Sequence, residues 1–165
     1  MAAALAGCGF KPLYRQNGPG EAVPQFTQIS IAQPEDRISQ QLRNHLLDMV
    51  TPQGSPERPL YILDYRITES VGSVFVTRSD EITRNNLQIS VSTFLRDYQT
   101  GSPLASFSIS SQASYNLTVA DYSNLISEKN ARERALRDAA EQIRIRLANY
   151  FGRDQFKPKP QPRQP

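Results

Sequence analysis

Two residue types that often carry chemistry occur once each in this chain, as Cys8 and His45. One thiol cannot close an internal disulfide or build a multi-cysteine zinc site, and one imidazole excludes every metal site that needs two histidines. His45 precedes Leu46 of an apolar stripe, and local spacing sets no serine, cysteine or carboxylate beside it, so it reads as a surface or boundary side chain. No G-x-S-x-G elbow, G-x-G-x-x-G turn or P-loop can be written anywhere. The acidic pairs Glu35-Asp36 and Asp80-Glu81 fall at a helix start and in a loop, where capping and solvation account for them. The sequon Asn116-Leu117-Thr118 has meaning only in a glycosylating pathway. One spacing does specify a reaction. In Leu5-Ala6-Gly7-Cys8, a lipobox, small residues let a signal peptidase reach the bond before the cysteine, whose thiol accepts a diacylglyceryl group. On this spacing the otherwise idle Cys8 is expected to be a lipid attachment point.

Residues 1–8 are therefore expected to be the remnant of a lipoprotein signal peptide. No lysine or arginine precedes Cys8, whereas a signal peptide has a basic start and an apolar stretch of about 7–15 residues, so the translation start is expected upstream. Residues 9–25, with their prolines and glycines and little periodicity, read as an extended tether. The longest apolar run, Met1–Cys8, falls far short of the ~20 residues of a spanning helix, which excludes a polytopic membrane protein.

The elements beyond the tether follow from hydrophobic periodicity. Phe26–Ile31 alternates, with Ile29 and Ile31 on one face, as a half-buried strand does. Pro34 closes it, and Glu35 and Asp36 open a helix over about 36–50, in which Ile38, Leu42, Leu46, Met49 and Val50 draw one apolar stripe. Pro52 stops that helix. Three long strands are expected at Leu60–Glu69, Arg84–Leu95 and Leu104–Leu117, the last two joined as an antiparallel hairpin through the turn formers of Arg96–Pro103. Ser70–Arg78, loosened by Gly72, is expected to extend the first of these raggedly and leave the sheet edge. A last helix, over about Asn124–Tyr150 with Ser123 as N-cap and Gly152 as stop, carries Leu136, Ala140, Ile143, Leu147 and Tyr150 on one face. Residues 152–165, rich in proline and basic, are expected to be a disordered tail.

At 165 residues and 38% hydrophobic, the chain has the size and content for one domain, over residues 26–151. The order of elements predicts an α+β fold, two helices packed on one face of a mostly antiparallel four-stranded sheet. Its opposite face would be rich in hydroxyls and amides, with Ser90, Ser108 and Ser110 at its centre. Such a face is either wetted by solvent or lies in a polar cavity of a partner. The net charge of +3 resides in the tail, where Arg153, Lys157, Lys159 and Arg163 outnumber Asp154, so the body is neutral and no nucleic-acid partner is expected. Neither a cofactor nor a metal is called for.

With the residues that follow the lipobox, Cys8-Gly9-Phe10-Lys11-Pro12-Leu13-Tyr14, the chain resembles the opening of the LPS-assembly lipoprotein family LptE in its alphaproteobacterial form. The resemblance runs on at pattern level through Leu42-Arg43-Asn44, Ser73-Val74-Phe75, the hairpin strands and Ala139-Ala140-Glu141-Gln142-Ile143. It implies a non-enzymatic outer-membrane lipoprotein that plugs the LptD β-barrel as a 1:1 heterodimer, assists its assembly for lipopolysaccharide export, and is held in the outer-membrane lipid by acylated Cys8. Gly9 after the cysteine favours, in family terms, the outer membrane. A barrel lumen is polar, which would suit Ser90, Ser108 and Ser110 as an interface. Arg78, Arg84 and Lys129 are candidates for contact with lipopolysaccharide, whose phosphates favour basic side chains. The competing reading is a periplasmic lipoprotein that serves an ABC-type lipid transporter and docks to no barrel.

Overall fold

The computed structural model describes residues 23–74 and 84–152. Cys8, Arg78, most of the expected tether and the tail beyond Gly152 lie outside the described residues. Within them the elements are a 3-10 turn at Pro24–Gln28, β1 at Ile29–Ile31, α1 at Arg37–Val50, β2 at Tyr61–Val74, β3 at Arg84–Asp97, β4 at Pro103–Asn116 and α2 at Asp121–Phe151. The fold is α+β, and its sheet has the order β1-β2-β3-β4, with only the β1–β2 pair parallel.

The entry to the sheet differs from the expected strand at Phe26–Ile31, of which only Ile29–Ile31 pair. Pro24 sits at the start of the 3-10 turn, where a missing N–H costs nothing, and Phe26 N–H closes the turn on the Val23 carbonyl at 2.8 Å. That turn buries Phe26. α1 begins where the acidic pair predicts, with Asp36 accepting from Ser39 N–H and Ser39 Oγ, each at 2.8 Å. These bonds favour the carboxylate and hold the Asp36 pKa below its ordinary value.

Ser70–Val74 continues β2 in regular register and does not leave the sheet. Gly72 faces Asn86 and Val74 faces Arg84, because β3 is long enough to pair with all of it. The β3–β4 hairpin turns through Asp97–Ser102. There Asp97 Oδ1 accepts from Gln99 N–H, Thr100 N–H and Thr100 Oγ1, and Gly101 takes the left-handed φ of +69°. α2 starts at Asp121, earlier than expected, and Ser123 is not its cap. The N-cap is Ala120, without a side-chain cap bond, and Asn124 inside the helix instead accepts from Thr118 N–H at 2.7 Å and donates to the Thr118 carbonyl at 2.8 Å, which fixes the loop against the first turn.

Both helices pack on one sheet face. Leu63, Leu87, Ile89, Val91 and Leu95 of the sheet are fully buried beneath Leu42 and Leu46 of α1 and Leu136, Ile143 and Leu147 of α2. Ala135, Ala139 and Ala140 are also buried, small residues that let the long helix approach closely. Among the described residues two buried aliphatic hydroxyls stand on this face of the sheet, and Thr93 Oγ1 of β3 is fully buried without a hydrogen-bond partner. Ser111 of β4 is buried and donates to Asp138 of α2 at 2.7 Å, so the break in apolar alternation is satisfied and costs little.

Candidate functional site

Alternation along the strands turns every second residue away from the helices, and the register sets them in rows: Arg66, Ser92 and Ser108; Thr68, Ser90 and Ser110; Ser70, Gln88 and Gln112. No element among the described residues covers this face. The structure thus brings Ser90, Ser108 and Ser110 together on it, with Ser90 and Ser110 directly opposite each other. Cross-strand bonds knit the rows. The Ser92 and Ser108 hydroxyls lie 3.4 Å apart, Gln112 Nε2 donates to Gln88 Oε1 at 3.1 Å, and Ser114 Oγ donates to Asn86 Oδ1 at 2.6 Å. Each retains further donor or acceptor capacity toward whatever faces it. The result is a hydrogen-bonding surface that is uncharged from Asn86 to Ser92 of β3 and from Ser106 to Ser114 of β4, with Arg66 on β2 beside it. Charges stand at its margins, as in the Arg96–Asp64 pair at 3.3 Å.

At the hairpin end the face changes character. Leu60, Phe94 and Tyr98 are 44%, 40% and 48% exposed, and Leu104 of β4 joins them. Alternation assigns Leu60, Phe94 and Leu104 to this face, and the pairing of β2 with β3 and of β3 with β4 brings them to one end of it. That apolar corner was not legible as a group.

Arg84 and Lys129 lie at the opposite end. Arg84 belongs to the polar face of β3, while Lys129 stands exposed on α2, which packs on the other face. The structure brings them to one end of the molecule and not to one surface. Between them is a polar network that the sequence reading missed. Arg132 Nε and Nη2 donate to the two Glu69 oxygens at 2.7 and 2.8 Å, and Nη2 also donates to Glu128 at 2.6 Å. These acceptors push the Arg132 pKa further up, so it stays charged. Tyr115 approaches Glu128 at 3.5 Å and accepts from Asn85 Nδ2 at 3.2 Å. The i,i+4 spacing of Glu128 and Arg132 was the available signal; Glu69, far away in sequence, was not.

His45 has a structural partner. Its Nε2 lies 3.0 Å from Glu133 Oε1, linking α1 to α2 with no nucleophile in the arrangement. Tyr65 donates its hydroxyl to the Ser39 carbonyl at 3.1 Å, and burial pushes its pKa up to about 12. Among the described residues no cluster of histidine, cysteine and acidic side chains is placed to hold a metal, and no helix is long and apolar enough to cross a membrane.

The family described as LptE, lipopolysaccharide-assembly, matches residues 25–149, from the 3-10 turn almost to the end of α2. The chain belongs to the LptE family. Solved structures similar to this LptE chain include a candidate lipoprotein of Caulobacter crescentus, at 24% identity and a TM-score of 0.66 over 82% of this chain and 97% of that one. A minor lipoprotein of Acinetobacter baumannii is 18% identical, with a TM-score of 0.61 over 75% and 92% of the two chains. Rare lipoprotein B of Shewanella oneidensis is 11% identical, with a TM-score of 0.55 over 74% and 92%. These structures share the LptE chain's fold. No curated protein matches it.

Proposed function

We propose that this LptE-family chain is an outer-membrane lipoprotein, held by acylated Cys8, that plugs the LptD β-barrel as a 1:1 heterodimer and assists its assembly for lipopolysaccharide export. The role is non-catalytic. The observation that supports the plug is the uncovered sheet face, whose serine, glutamine and asparagine side chains on β3 and β4 offer hydrogen bonds without charge to a polar lumen. Ser90, Ser108 and Ser110 form the centre of the proposed interface. Arg84 and Lys129, with Arg78, are the proposed contacts for lipopolysaccharide phosphates, approached from the two sides of one end of the sheet.

Ser108→Arg tests the plug. Ser108 is exposed, so the isolated variant keeps its fold, while a lumen already filled by the sheet would have to desolvate a new charge without a partner. The expected result is a native circular dichroism spectrum and loss of the barrel from a membrane pull-down. Recovery of the barrel at wild-type levels by a folded Ser108→Arg variant would remove this face from the interface.

A further inference from the structure

β1 pairs only with Tyr61–Leu63, the first residues of β2. The chain then departs, since Ala32 N–H makes the last bond to the edge, on the Leu63 carbonyl at 3.0 Å, and Pro34, which has no N–H to give, leads into α1. From Asp64 to Val74 β2 therefore has β3 on one side and, among the described residues, no strand on the other. Backbone groups alternate along a strand. With Leu63 turned toward β1, the residues in step with it, Tyr65, Ile67, Glu69, Val71 and Ser73, turn their N–H and C=O groups to that same open side.

Sheet edges of this length are ordinarily blunted by proline, bulges or a covering element. The other edge of the sheet has two such devices: β4 begins with Pro103, and Arg134 of α2 donates to the outward Ser114 carbonyl at 3.1 Å. β2 has neither. It holds no proline, and its register with β3 runs without a bulge from Tyr61 to Val74.

We propose that the open edge of β2 between Tyr65 and Ser73 takes up an extended segment of the partner barrel protein, which adds to the sheet as a further strand. The proposal rests on the barrel reading above and goes beyond it by assigning main-chain pairing to a stated edge. The occupant follows from the backbone, because a row of alternating donors and acceptors is matched by another extended backbone. Its pattern follows from the neighbours. Residues on the helix side would lie beside Tyr65, Ile67, the Arg132-paired Glu69 and the exposed Val71, those on the other side beside Arg66, Thr68 and Ser70, so the segment is mainly apolar on the first side, polar on the second, and lacks proline. The site is continuous with the polar face, since Arg66, Thr68 and Ser70 begin its rows. A wall covering that face must pass this edge.

The test uses the complex recovered from membranes by a tag on this chain, and the isolated chain beside it. Hydrogen–deuterium exchange resolved to single residues reads the outward amides, and Val71→Pro removes one outward N–H without taking a bond from β3. Proline is tolerated where a strand's N–H faces away from its neighbour. Ser73→Pro, nearer the strand end, is a second variant of the same kind, and Val71→Thr keeps the N–H. The expected result is that the Ile67, Glu69 and Val71 amides exchange at least about tenfold more slowly in the complex. Both proline variants should recover about tenfold less barrel, and Val71→Thr as much as wild type. Unchanged exchange in the complex, or wild-type recovery by folded proline variants, overturns the proposal while leaving the plug standing. Slow exchange in the isolated chain also overturns it, pointing to a segment of the chain itself where the slowing ignores concentration and to a second copy where it grows with concentration. Failure of the wild type to recover any barrel defeats the plug reading and this proposal with it.

Discussion

Arg132→Met isolates the polar tie between α2 and β2. Methionine keeps an unbranched apolar stem and a good helix propensity, so the substitution removes the guanidinium and little else. What it leaves is a pair of carboxylates, Glu69 and Glu128, that both faced one cation. The cost lies between two limits. Breaking a fully buried pair costs about 3–5 kcal/mol, and an exposed pair is worth about 0.2–1. The Arg132 and Glu69 side chains retain 26% and 24% of their exposure and meet through two bonds, which puts the loss at about 2 kcal/mol. Urea unfolding followed by circular dichroism should show a midpoint lowered by about 1 M with an unchanged slope. A double-mutant cycle with Glu69→Gln should give a coupling of about 1–2 kcal/mol. A midpoint within about 0.2 M of wild type, or coupling below about 0.5 kcal/mol, would refute the reasoning, because the tie would then be no more than a screened surface pair.

If Cys8 carries the acyl chains, each buried CH₂ holds the membrane by about 0.8 kcal/mol, and Cys8→Ser releases the protein from the membrane fraction; wild type that incorporates no fatty-acid probe would sink the anchor. Asp36→Ala should destabilise by about 1 kcal/mol through loss of the cap. Since the folded-state pKa of Asp36 is depressed, its contribution is present above the ordinary carboxylate pKa and fades as pH falls through the folded value, so wild type and variant should converge in acid; a constant gap from neutral pH down to about pH 2 would contradict this. Tyr65 runs the other way. Its raised pKa contributes stability below about 10 that is lost as pH climbs toward about 12, and Tyr65→Phe should abolish the latest-titrating phenol in an absorbance titration.

The parts of this fold that could be read from sequence are those where side-chain period alone decides. The stripe from Ile38 to Val50 placed α1 to within a residue, and the alternation in Arg84–Leu95 and Leu104–Leu117 placed both hairpin strands and the polar face between them. The parts that could not be read depend on partners remote in the chain. Ser70–Val74 looked ragged because glycine and serine weaken a strand's own propensity, yet pairing with β3 overrides that preference. Phe26 joined an apparent alternation, and only its burial against Phe151 shows why the backbone coils there. Ser90, Ser108 and Ser110 could be grouped by parity. The separation of Arg84 from Lys129 by the thickness of the sheet could not be seen before the helices were set on one side.

The ring of Phe26 lies 6.5 Å from that of Phe151, which also meets Tyr61 at 5.0 Å and Tyr150 at 5.2 Å. The first and last elements of the domain are thereby clasped at one pole, while α2, β2 and β4 all carry their other ends to the far pole. If Cys8 carries the proposed lipid, the chain enters the domain from its mooring at this pole. With a rise of about 1.5 Å per residue, α2 reaches some 46 Å from this pole toward the end where Arg84 and Lys129 stand. Because Phe26, Tyr150 and Phe151 are buried in the one core, the orientation of the entry to the domain is carried to the far pole by the body as a whole.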